Sequence, residues 1–130
     1  MKKALGYLAV ALWLALTSVI ASAQQVDTHA VDGTWEGPWY RGMTSGKARL
    51  QIKDGGGTIQ LAGLDNFGSE PQPLKDVGFD GNAFSFRTKG ESGTTLSATL
   101  KLNESGTDLK GMCRFEGFLV RVEVKRVVPQ

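Results

Sequence analysis

From Lys47 to Lys53 the chain alternates without a break, with Ala48, Leu50 and Ile52 on one parity and Lys47, Arg49, Gln51 and Lys53 on the other. Period two predicts a strand with one buried and one solvated face. The pattern returns in Thr58 to Leu64, in Ala83 to Thr88 around Phe84 and Phe86, in Thr95 to Leu102, in Asp108 to Phe115, and in Phe118 to Val127, where Phe118, Val120, Val122 and Val124 share a face. Between these runs lie DGGG, DGN, KGESG and NESGT, clusters whose glycines accept the positive φ of tight turns.

Two segments fit less regularly. The first strand, Gly33 to Tyr40, is predicted to turn at RGMTSG; in Leu74 to Phe79, Leu74 is out of step with Val77 and Phe79, which predicts a bulge. Asp65 to Pro73 is the longest connection and holds two prolines that cannot donate to a ladder, so it is predicted to be the most flexible element.

The fold class that follows is all-β: eight antiparallel strands in an up-and-down meander, with no helix after residue 23. A meander with one apolar face must close on itself or pack on a second layer, and this chain is too short to supply that layer. Closure as a small barrel over residues 33–128 also removes exposed edges. Charged outward positions, such as those of Lys47 to Lys53, argue against a barrel whose outer face meets lipid.

The start of the chain changes the compartment and the charge. Lys2 and Lys3, an apolar run to Ile20 and then Ala21-Ser22-Ala23 are the three parts of a secretory leader, predicted to be cleaved after Ala23. Gln24 stands where a lipoprotein would need cysteine, so the expected product is soluble, in a bacterial periplasm or secreted. Residues 24–32 read as a lead-in whose first half is mobile. Losing Lys2 and Lys3 from the 15 basic residues leaves as many as the 13 acidic ones, so no overall field is set up for nucleic acid or anionic lipid.

Candidate chemistry is sparse. His29 is the only histidine and lies in the lead-in, away from any barrel nucleophile, so the chain is not expected to be an enzyme. Asp54, Asp65 and Asp80 sit in separate turns, and neither a metal site nor a cofactor is expected. Cys113 can pair only with another chain, and its parity reads as a small buried hydrophobe.

Gly33-Thr34-Trp35 on the first strand, the meander, and Arg126 near the end of the last strand resemble the lipocalins and the wider calycin group. The resemblance implies that Trp35 lies at the closed end of the barrel with Arg126 packed across it. The parity of Arg126 agrees, since it continues the inward row of Val120, Val122 and Val124. The resemblance also implies a ligand-holding interior, although tight hairpin loops suit a barrel filled by its own side chains.

Two functions remain open. In one, the barrel mouth, lined by Trp39, Phe79, Phe84 and Phe86 and covered by the Phe67 loop, holds a small apolar or amphipathic ligand. In the other, a solid barrel works through its outer face as a periplasmic interaction or structural module, with Met43 and Phe67 at exposed loop tips. An interior space of about 300 Å³ or more separates them. Trp35→Ala is expected to cost about 3–5 kcal/mol and Trp39→Ala less.

Overall fold

The computed structural model of the protein describes residue 27 and residues 29–128; the leader over 1–23 and the start of the lead-in lie outside the described residues. The strands are β1 (Gly33–Arg41), β2 (Thr44–Lys53), β3 (Gly56–Leu61), β4 (Gln72–Pro73), β5 (Lys75–Phe79), β6 (Ala83–Lys89), β7 (Thr95–Leu102), β8 (Asp108–Phe115) and β9 (Phe118–Arg126). All pairings are antiparallel, in the order β4-β3-β2-β1-β9-β8-β7-β6-β5. The all-β, up-and-down, nearly closed barrel expected from the alternation is present.

Nine strands replace eight because one stave is broken. β4 pairs with β3, β5 pairs with β6, and only Leu74 separates them in the chain. The break follows from the misfit noted in the sequence: the inward Leu74 and Val77 lie three positions apart, an odd step, so the ladder shifts between Lys75 and Gly78 and Asp76 takes φ 51°. Two bonds cross the seam. Leu74 N donates to Gly57 O at 2.9 Å, and the buried Thr88 hydroxyl donates to Pro73 O at 2.9 Å.

The inward rows fuse into one core that includes both Trp35 and Trp39, Leu50, Ile59, Phe86, Leu100, Phe115 and Val122. Rings of this size need bare backbone opposite them. Trp39 faces Gly46 across the β1–β2 ladder, and a Cβ on Gly46 would stand 2.5 Å from the Trp39 indole nitrogen. Gly37, between the two tryptophans, meets β9 as closely: its Cβ would lie 2.0 Å from Glu123 O.

Boundaries move at β2 and β3, and one inward residue proves exposed. β2 begins at Thr44 because Gly42 and Met43 alone make the turn, with Arg41 opposite Thr44. β3 ends at Leu61: Ala62 N still donates to Lys47 O, next in register, but Ala62 O accepts from the Trp39 indole instead of the ladder. Phe118 holds the parity of Val120, yet is 49% exposed. It stands at the rim, above a core already filled by Phe67 and Phe115, and the Arg41 guanidinium lies 4.1 Å from its ring centroid.

Candidate functional site

Alternate staves run in opposite directions, so each end of the barrel collects the start of one strand and the finish of the next. At the end where β1 begins, Trp35 is fully buried and donates from its indole to Val31 O at 2.9 Å. Arg126, opposite Trp35 in the β1–β9 ladder, places its Cζ 4.3 Å from the Trp35 ring centroid. Its Nε donates to Gly106 O at 3.1 Å, Nη2 to Ala30 O at 2.7 Å, and Nη1 to Asp32 O. One guanidinium thus ties residues 30–32, the loop before β8 and the first tryptophan together. The tight approach includes Gly33, where a Cβ would stand 3.0 Å from Arg126 Nη1.

The second half of the lead-in is accordingly a plug, with Val31 1% exposed. His29 flanks it, with Nδ1 3.1 Å from Asp32 Oδ2 and 3.4 Å from Asp54 Oδ1. The hydrogen bond to Asp32 raises the His29 pKa above its ordinary value, helped by the charges of Asp32, Asp54 and Asp27. His29, Asp32 and Asp54 bring donor atoms within 4.8 Å of one another. The ring bridges Asp32 Oδ2 and Asp54 Oδ1 as an ion-pair cluster that pins the turn, while Asp32 Oδ1 is buried with no hydrogen-bond partner among the described residues.

The aromatic residues expected together at one mouth are divided between the two ends. Phe79 and Phe84 flank the β5–β6 hairpin at the Trp35 end, where they share a space of about 80 Å³ with Val31, Ile52 and Val77. The reason is directional: a fourth stave finishes, and a fifth starts, at the end where the first begins. Strand order in the sequence carried that signal. Phe86 is buried beside Phe84, ring centroids 5.6 Å apart.

The other end contains Trp39 and Phe67. Trp39 is fully buried and donates to Ala62 O at 2.9 Å; the space beside it, walled by Arg41, Gly63 and Leu64, measures about 120 Å³. Phe67 is not an exposed tip. It is 0% exposed and packs edge-on against Phe115, centroids 5.7 Å apart. Its backbone is fixed as well, since Phe67 N donates to Leu64 O, Glu91 N to Phe67 O, and the neighbouring Asn66 amide to Glu116 Oε1. The loop expected to be flexible is a stopper held by its own aromatic residue. Met43 does project fully into solvent.

Catalytic geometry does not assemble around the thiol. Cys113 is buried on β8, and burial pushes its pKa up to about 12, so it remains protonated at neutral pH. His29 is at the plugged end, on the surface.

A broad concavity lies outside the barrel. A groove of about 950 Å³ crosses the outer faces of β5 to β9, with Ser85 and Thr99 along its middle. Arg87 and Arg114 stand at one end, Lys101 and Lys110 at the other. Met112 and Leu119, 43% and 53% exposed, add an apolar wall. This face is not marked in the sequence, because alternating polar residues look like an ordinary solvated surface and only the strand register gathers these side chains at one groove.

The molecule is therefore an all-β, nearly closed antiparallel barrel with a filled interior and a basic external groove. No protein-family model matches the chain, and no curated protein matches it in sequence.

Proposed function

We propose that the protein is an exported, non-enzymatic barrel of lipocalin-like architecture that works as an interaction module through its outer face. One observation carries this reading: the spaces beside the inward aromatic side chains are about 80 and 120 Å³, whereas small-molecule sites run to about 300–1,000 Å³. Phe67 fills the mouth where a ligand would enter, and the Val31 turn fills the other end. The leader supports export. What remains open to a partner is the outside, where the groove is a broad concavity.

The test uses mature protein isolated from its own compartment. Native mass spectrometry is expected to give the apo mass, and lauric acid is expected to leave tryptophan fluorescence unquenched. Amine cross-linking in the same compartment should join partners through Lys101 and Lys110 ahead of Lys47 and Lys53. A stoichiometric small molecule in the native mass, or saturable quenching, would return the function to the interior.

A further inference from the structure

We propose that the groove across β5 to β9 takes an extended acidic segment of a partner polypeptide, with carboxylates four residues apart. This rests on the reading of the barrel as an interaction module and names the chemistry of the partner.

The placement of charge is the first reason. Lys101 and Lys110 stand directly opposite each other in the β7–β8 ladder. Like charges so placed weaken a sheet. Lys110 leans to Asp108 at 3.9 Å, and no ion pair among the described residues engages Lys101. At the other end, Arg87 and Arg114 flank Ser97 from either side in the β6–β7 and β7–β8 ladders, again without an ion pair among the described residues. Four cations thus border one groove; the acidic residues at it are Asp76 in its wall and, beside Lys110, Asp108 and the cross-strand Glu123 of β9.

Spacing then defines the ligand. Ser97 and Lys101 lie four positions apart on β7, about 13 Å at the usual rise per residue. An extended segment covers that distance with four residues, and its side chains at i, i+2 and i+4 face the same way. Carboxylates at i and i+4 reach the two cationic ends. The residue at i+2 falls over the middle row, where Ser85 pairs with Thr99 and Thr99 with Met112. Hydroxyls there suit peptide groups, and Met112 suits a small apolar side chain.

Other polyanions fit less well. No aromatic side chain is exposed in the groove for stacking bases, since Phe86 points into the core. A concave floor keeps its hydroxyls from a flat lipid surface. With Lys2 and Lys3 removed in the expected leader, total charge is balanced and gives no long-range attraction outside the groove.

The experiment measures fluorescence anisotropy of the labelled peptide Gly-Glu-Ser-Val-Ser-Glu-Gly with the mature protein. Saturable binding is expected, weakening as salt rises from about 0.05 to about 0.5 M. The pairs K101E/K110E and R87E/R114E should each weaken it about tenfold or more. A peptide carrying lysine in place of glutamate should bind those variants better than it binds the parent. Moving the second glutamate to i+5, onto the opposite face, should also weaken binding. The single variant K101E converts a like-charge pair into an opposite pair, so it should hold or raise the melting temperature while weakening the peptide, which separates a charge effect from a folding effect. Absence of saturable binding, or equal affinity across all variants, overturns the proposal. So does binding to phosphatidylglycerol vesicles, but not peptide, that is lost in the same variants. An apo native mass alongside any of these results leaves the filled-barrel reading standing, so the two fail separately.

Discussion

Replacing Arg126 with alanine removes one side chain from the meeting point of three chain segments. The guanidinium loses bonds to Gly106 O, Ala30 O and Asp32 O and its place over Trp35. Arg126 is only partly buried, so water can reach the abandoned carbonyls; each bond then counts for about 1 kcal/mol rather than a full desolvation penalty. Stacking on Trp35 adds about 0.5–1 kcal/mol. The expected loss is about 3–4 kcal/mol, equivalent to about 15–25 °C in melting temperature for a domain of this size. Urea unfolding of the mature protein, followed by circular dichroism, measures it. Arg126→Lys should recover no more than about a third, because a single ammonium cannot serve three diverging acceptors. Amide exchange adds a local readout: Asp32 N, bonded to His29 O, should exchange faster in R126A. A loss below about 1 kcal/mol, or full recovery in the lysine variant, would refute the account of the plugged end.

Three further outcomes follow from the same contacts. Trp39→Ala should cost about 3–5 kcal/mol, in the range of Trp35→Ala, because both rings are fully buried and both indoles donate to a backbone carbonyl; a clearly smaller loss at Trp39 in chemical denaturation would restore the asymmetry expected from the sequence. Cys113 should react with Ellman's reagent far more slowly than a free thiol near neutral pH, since burial blocks access and holds the thiol protonated, with its pKa pushed up to about 12; prompt labelling of native protein would contradict its burial. The His29 ring should titrate above 6.5 by NMR and move back toward that value in Asp32→Asn. Because its folded pKa is raised, its contribution is complete below the unfolded value and disappears as pH rises through the folded one. A midpoint at or below 6.5 would remove the ion-pair cluster.

The barrel was legible because alternation is a local signal: Leu96, Ala98 and Leu100 must face one way whatever surrounds them. The broken stave was legible too, as the misfit of Leu74 with Val77. Phe67 was not. In a loop no period assigns an inside, and its burial depends on reaching Phe115 across the mouth. The acceptors of Arg126 were hidden for another reason, since backbone carbonyls occur at every residue and leave no mark in the sequence. Phe79 and Phe84 were misplaced although the direction of each stave was available. The groove required the register: only the pairing of Lys101 with Lys110 turns scattered positive residues into a feature.

The split stave carries a consequence for how the barrel opens. Its first part ladders with β3 and its second with β6, and the Thr88 hydroxyl of β6 also holds Pro73 O, so residues 72–79 act as one clasp shared between the two edges. Releasing that clasp uncovers β3 and β6 together, while the ladders from β3 through β1 and β9 to β6 stay intact. The opened molecule is then a curved sheet with two unsatisfied borders, each able to accept the same clasp from a neighbouring copy. Exchange of residues 72–79 between molecules is the natural route by which this barrel would form dimers or longer chains under mild destabilisation. Against that exchange stand the clasp's own bonds, Leu74 N to Gly57 O and the Thr88 hydroxyl to Pro73 O, and the buried Phe67 just upstream.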